Sequence, residues 1–170
     1  MHRAPIPLKI LRSRHMDKTI TYQNGFTLIE ILIVMGIMGV LAGISIPVYF
    51  NYIHRAKIAK AAAEIRIIEK EILAFEIGSD ADILPVTLAQ IELDGMLDPW
   101  GNPYQYYNVA TATGNGIRRV DGAANPINTD FDLYSLGRNG ITNPSITDVD
   151  GQDDIVYANN GRFVGLSTGL

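Results

Sequence analysis

The stretch that decides the fold is NGFTLIEILIVMGIMGVLAGISIP, Asn24 to Pro47. From Phe26 to Ile53 the sole charged residue is Glu30. An apolar run of this length suffices for a helix to cross a bilayer, which takes about 20 residues. A carboxylate at membrane depth costs several kcal/mol unless a partner neutralises it. The glutamate therefore calls for a partner, and the sequence must supply one.

Charge is distributed unevenly along the 170 residues, whose net charge is -4. Residues 1–25 carry a balance of +4, from Arg3, Lys9, Arg12, Arg14 and Lys18 against Asp17. Residues 26–79 balance to zero, and residues 80–170 carry -8. This reads as a basic leader, an apolar and then amphipathic helix, and an acidic head. The positive-inside tendency puts the N-terminus in the cytoplasm and the head on the far side. Arg55, Lys57 and Lys60 follow the span and oppose that tendency in part. An acidic head excludes a nucleic-acid surface, which needs clustered Lys and Arg, and the single pair Arg118-Arg119 does not reverse the sign. There is no cysteine, hence no disulfide.

A secretory signal peptide is one reading of the N-terminus, with Val40-Leu41-Ala42 as the small-residue cut site. The apolar run is longer than the roughly 7–15 residues of such a segment and opens on an acid. An uncut membrane anchor is a second reading. Neither explains Glu30. Cutting after Gly25 does, because Phe26 then bears a free α-amine that is largely cationic at neutral pH. Between two helices offset along a common axis, the amine of one chain would meet Glu30 of the next. Two buried charges cancel, and the stagger between subunits is set.

Gly25-Phe26-Thr27-Leu28-Ile29-Glu30 resembles the processing motif of type IV pilins and type II secretion pseudopilins. The resemblance implies that a prepilin peptidase cuts after Gly25 and N-methylates Phe26. It also implies that Glu30 pairs with the terminal amine of a neighbouring subunit. Met16 offers an alternative start, with the shorter leader MDKTITYQNG. Pro47 lies within the apolar helix, where proline removes a backbone hydrogen bond. The family has a proline at the matching place, near where the helix partly unwinds in filaments. Gly39 and Gly43 form a small-xxx-small pair, although glycine is simply common in membrane helices.

Beyond the apolar run, Ile58, Ala61, Ile65, Ile68, Ile72 and Phe75 recur at spacings of three and four, one stripe of a helix. Lys57, Lys60, Arg66, Glu69 and Lys70 are assigned to the opposite, solvated side, with Glu64, Glu71 and Glu76 at the rim. Gly78-Ser79 ends the helix. From Phe26 to Ile77 it would measure about 78 Å at 1.5 Å per residue. Four segments follow: a leader at 1–25, a membrane and polymerisation helix at 26–53, an amphipathic half at 54–77 and a globular head at 78–170.

Within the head, Val86 to Leu97 reads as a short helix with Thr87 as N-cap and Leu88, Ile91 and Leu93 inward. Strands are expected at Tyr104–Val109, Phe131–Leu136 and Ile155–Tyr157, with a possible short one at Ile117–Val120. Strands joined by loops predict an α+β fold, an antiparallel sheet packed on the outer half of the helix. DPWGNPYQY (98–106) and DLYSLGRNG (132–140) resemble the head of the major pseudopilin of type II secretion.

Asp148-Val149-Asp150-Gly151-Gln152-Asp153-Asp154 gathers four carboxylates. On composition alone this is a solvated acidic loop, and it lacks the later glutamate of an EF-hand. The resemblance implies calcium, which takes six to eight oxygen ligands. Its ligands would be the Leu136 carbonyl and Asn139 on one side, with Asp148, Asp150 and Asp154 on the other.

An enzyme is not expected. His2 and His15 lie in the leader, His54 borders the membrane, and no nucleophile or phosphate-loop motif is visible. Three functions remain open. One is a structural subunit of a type II secretion pseudopilus. The second is a type IV pilin of a surface fibre for adhesion, motility or DNA uptake. The third is a membrane-anchored, calcium-dependent binding module that does not polymerise. The first implies an inner-membrane protein with a cytoplasmic N-terminus and a periplasmic head, held in membrane lipid before assembly and in a filament after. Its partners would be copies of itself, other pseudopilins, the prepilin peptidase and an inner-membrane assembly platform.

Overall fold

The computed structural model describes residues 25–79 and 83–170. The leader and the choice between Met1 and Met16 lie outside the described residues, apart from Gly25. Two compact units divide the chain, one ending at Gly43 and the other running from Ile44 to Leu170.

Helix α1 spans Leu28–Gly78 and contains Pro47. It starts two residues later than Phe26, because Thr27 caps it: the Thr27 hydroxyl accepts the Glu30 N–H at 3.2 Å. Gly25, Phe26 and Thr27 are non-helical. Gly78 ends α1 where the sequence places the stop, and the Ser79 N–H and hydroxyl both donate to the Glu76 carbonyl.

In the unit from Ile44 onward, Ala61, Ile65, Ile68 and Ile72 are fully buried, and Ile58 packs beside them. These four residues are the centre of the expected stripe. They meet a five-stranded sheet: β1 Gln105–Asn108, β2 Thr113–Gly114, β3 Phe131–Ser135, β4 Ile155–Ala158 and β5 Phe163–Leu166. The order is β2-β1-β3-β4-β5 and every pairing is antiparallel. The fold is thus α+β, one long helix with an antiparallel sheet.

Period-two alternation sends Tyr106, Phe131, Leu133, Ile155 and Tyr157 toward the helix. The Phe131 ring stacks on Tyr157 with centroids 4.8 Å apart. Every residue of β3 and β4 is buried, so the other face is covered too. A second apolar cluster of Ile127, Tyr134, Ile146, Val156 and Ala158 fills that face. Part of that cover is the connection between β2 and β3, which composition marks as a polar loop.

Several expectations change. The segment 117–120 is not a strand; only Val120 makes isolated bridges, to Pro126 and Ser145. The Arg119 N–H is spent on the Asp132 carboxylate instead of a ladder partner. The segment 86–97 holds only a four-residue 3-10 helix, Leu88–Ile91, closed by Glu92 at φ 59°. Thr87 stands at its N-cap but makes no side-chain cap. Strand β5 comes from the tail, where the sequence alone predicts no element.

The charges beside the buried stripe are not a purely solvated face. Tyr104 donates its hydroxyl proton to Glu64 at 2.7 Å, and Arg66 donates to the Gly161 carbonyl at 2.7 Å. Arg66 also pairs with Glu69 at 2.9 Å. These residues tie the helix to the sheet from both sides of the stripe.

Candidate assembly helix and cation loop

The first candidate site is the start of α1. Gly25 and Phe26 precede the helix and are exposed, as is every residue from Leu28 to Tyr52. The helix contains an apolar window with mean hydropathy 2.5, none of it buried in the chain itself. By length and composition it is able to cross a membrane. Glu30 is exposed in the first turn, three residues after its cap. Thr27-Leu28-Ile29-Glu30 has the spacing of a capping box, a signal that the charge argument passed over. An acid in the first turn also meets the positive end of the helix dipole. Pro47 continues within α1 and is exposed.

The second candidate site is the loop system at one end of β3 and β4. The two motifs of the head meet there. Asp98 Oδ1 accepts the Trp100 and Asn102 N–H groups at 2.9 Å each, which folds the DPWGN turn. The Ser135 hydroxyl donates to Asp98 Oδ2 at 2.5 Å, and Asn102 Nδ2 donates to the Gly137 carbonyl at 3.1 Å. Gly137 lies at φ +63°, and a Cβ there would come within 2.1 Å of the Asp153 carbonyl oxygen. Glycine is thus required twice, for the backbone angle and for the close approach.

The five residues named for calcium separate into different environments. Leu136 is half-buried beside the second apolar cluster. Asn139 is exposed; its Oδ1 accepts the Ile141 N–H at 2.7 Å and its Nδ2 donates to the Asp150 carbonyl at 3.1 Å. Asp148 is exposed and accepts the Asp150 N–H, capping a short 3-10 turn, Val149–Gly151. The Asp150 side chain is exposed. Asp154 is fully buried.

Arg119 faces Asp154. Its Nη2 donates to Asp154 Oδ2 at 2.6 Å, and its Nη1 donates to the Thr142 hydroxyl and the Asn143 carbonyl. Thr142 donates to the same Asp154 oxygen at 2.6 Å. The guanidinium carbon lies 4.6 Å from the Tyr134 ring centroid, a cation–π distance. Burial pushes the Asp154 carboxyl up to about 6, against the Thr142 hydroxyl and the Arg119 charge, which favour ionisation. Burial likewise raises the Asp132 carboxyl, opposed by the Arg119 N–H, Asn128 and the guanidinium groups of Arg118 and Arg119.

Two residues of this site were missed in the sequence. Asp153, not Asp150 or Asp148, grips the turn after β3: its Oδ2 accepts the Arg138 and Asn139 N–H groups at 2.8 and 2.9 Å. In the sequence Arg119 reads only as half of the basic pair Arg118-Arg119. The one sequence signal for it was its position in a short apolar-flanked run, Ile117 to Val120. Asp153 Oδ1, Asp154 Oδ1 and Arg119 Nε are buried without hydrogen-bond partners among the described residues. No group of three or more His, Cys, Asp or Glu side chains converges as a metal centre among the described residues.

A capped, exposed apolar helix that feeds an antiparallel sheet defines the pilin class of α+β subunits. Residues 20–46 match the prokaryotic N-terminal methylation motif. The chain is 32% identical over 149 residues to type II secretion system core protein G of Pseudomonas aeruginosa, covering 75% of this chain and 92% of that one. It is 52% identical over 42 residues to the type IV major fimbrial protein FimA of Dichelobacter nodosus, covering 25% and 27%. It is 49% identical over 41 residues to the type IV major pilin protein PilE1 of Neisseria gonorrhoeae, covering 24% and 25%. No solved structure matches it. The chain belongs to the type IV pilin and type II secretion pseudopilin family, a family of structural subunits.

Proposed function

We propose that this protein is a structural subunit of a type II secretion pseudopilus, cut after Gly25, methylated at Phe26 and polymerised through α1 to support protein export. The observation that carries the reading is the geometry of the N-terminus. The Gly25–Phe26 bond lies outside the helix and is exposed, as a peptidase requires, and Glu30 follows one turn into an apolar helix with no cover of its own. The likeness to core protein G extends into the head, whereas the likeness to fimbrial proteins covers about a quarter of each chain. That difference favours the pseudopilus over a surface fibre.

In this reading the subunit waits in the inner membrane with its N-terminus cytoplasmic and its head periplasmic. The peptidase, the assembly platform and other pseudopilins are its partners, and it catalyses nothing itself. The amine of Phe26 on one subunit meets Glu30 of another, so that each buried charge is neutralised. Pro47 removes one helix hydrogen bond and gives a place where α1 can adjust on packing.

Mass spectrometry of the mature N-terminus tests processing: a chain beginning at methylated Phe26 is expected. An intact leader, or a terminus at Gly43, ends the reading. Glu30→Ala is expected to abolish filaments while leaving the protein processed and membrane-bound. Filaments formed by this variant at the normal level would remove the electrostatic argument. Deletion of the gene is expected to block export of folded proteins without loss of surface fibres; the reverse pattern selects the pilus.

A further inference from the structure

We propose that the Arg119 guanidinium is the resident cation of this head, doing the work that the resemblance assigns to calcium.

Four observations carry this. First, Arg119 is wholly buried, at 0% exposure. Both terminal nitrogens of its guanidinium have partners, as a buried charge needs, while Nε is left without one among the described residues. Second, its contacts lie on three separate segments of chain: Thr142 and Asn143 on the loop after β3, Asp154 at the start of β4, and the Tyr134 ring on β3. Its own N–H donates to Asp132 on β3 at 2.9 Å, which anchors the backbone from which the side chain projects. This is the cross-loop bridging expected of a structural metal ion. Third, the chain makes room for it. Gly151 stands where a Cβ would lie 3.3 Å from Arg119 Nη2 and 2.8 Å from the Ser145 carbonyl.

The fourth observation is charge. Asp154 Oδ2 already takes two donors, Arg119 and Thr142, and its negative charge is matched by one guanidinium. A calcium ion at Asp154 would add two positive charges beside a cation that does not lose its proton. It would also need six to eight oxygens. What stands free and buried nearby is Asp154 Oδ1 and Asp153 Oδ1, while Asp148 and Asp150 are exposed and both ends of the Asn139 amide are taken, by the Ile141 N–H and the Asp150 carbonyl. One planar group with five N–H donors suits the hydroxyl, carbonyl and carboxylate it meets better than a hard sphere would.

The test uses the full chain in detergent micelles, with melting followed by near-UV circular dichroism. Wild type is expected to melt at the same temperature in millimolar calcium and in excess chelator, and to retain no stoichiometric calcium after dialysis. Arg119→Met is expected to lower Tm on the order of 10 °C, with or without calcium. Arg119→Met combined with Asp154→Leu removes both charges and is expected to recover part of that loss. If Arg119→Met does not fold, the double variant and the wild-type calcium comparison still decide. A wild-type Tm that falls in chelator, stoichiometric calcium in the purified protein, or an Arg119→Met variant that melts like wild type would each overturn the proposal.

Discussion

Tyr104 donates its hydroxyl proton to Glu64 Oε2 at 2.7 Å, joining the residue before β1 to the flank of α1. The two are forty positions apart in the chain. Lys60 reaches the other Glu64 oxygen at 3.6 Å, so the carboxylate is held from both sides. Burial and the neighbouring Glu64 carboxylate raise the Tyr104 phenol well above its ordinary range, which keeps it a donor at any physiological pH.

Tyr104→Phe keeps the ring in the core and removes only this bond. It is expected to cost about 1–3 kcal/mol, the range for a hydrogen bond to a charged group together with a half-buried acceptor left short of a partner. Urea unfolding of the full chain in micelles, read at Trp100, measures it. A change below about 0.3 kcal/mol would show that Lys60 and solvent compensate fully.

Ile65 stands at the centre of the buried stripe and is fully enclosed by the sheet. Ile65→Ala is expected to lose about 2–5 kcal/mol through the lost transfer energy and the cavity left behind. The exposed Ile67, two positions away, provides the control. Ile67→Ala is expected to change stability by no more than about 0.5 kcal/mol. Equal effects at the two positions would contradict the orientation of α1 against the sheet.

Gly137→Ala places a Cβ at φ +63° and 2.1 Å from the Asp153 carbonyl oxygen. The left-handed strain alone is about 1–2 kcal/mol, and the clash adds to it. Backbone movement would break the grip of Asp153 on the Arg138 and Asn139 N–H groups. Hydrogen exchange should therefore quicken at residues 138 and 139 first. Unchanged protection there would show that the turn is not held by Asp153.

Four tyrosines resist ionisation. Burial raises Tyr104, Tyr106 and Tyr134 above their ordinary value of 10.0 and pushes Tyr157 up to about 12. A folded-state pKa above the unfolded one contributes stability that is complete below pH 10 and is lost as pH rises through the folded value. Unfolding free energy is thus expected to fall steadily above about pH 10. The phenolate absorbance of these four should appear together with loss of the near-UV signal. Reversible ionisation of all the tyrosines near pH 10 with the fold intact would disprove the burial.

Much of this architecture is legible in the residues. The long apolar run, the isoleucine stripe and the stop at Gly78 depend on composition and a 3.6-residue period, both local properties. Strands β1, β3 and β4 stand out for the same reason, as short runs of aromatic and β-branched residues between turns. Strand β5 does not: Phe163-Val164-Gly165-Leu166 contains a glycine and becomes a strand through its pairing with β4. Strand β2 is only two residues long and is defined entirely by Tyr107 and Asn108 opposite it. Propensity carries no signal for elements that exist because a neighbour completes them.

The acidic loop shows the same limit more sharply. Four aspartates in seven residues read alike in sequence. Asp148 caps a turn, Asp150 faces solvent, Asp153 grips the 137–139 turn and Asp154 pairs with a buried guanidinium. Each role depends on a partner that the local sequence does not name.

The sequence by itself determined the helix, its apolar leading half and the lone glutamate near its start, because hydropathy and helical period act over a few neighbouring residues. Only the tertiary structure decided which charges go inside. Arg119 and Asp154 are 35 positions apart and Arg119 and Asp132 are 13 apart. A buried charge is affordable only beside its counter-charge, and that proximity comes into being when the chain folds.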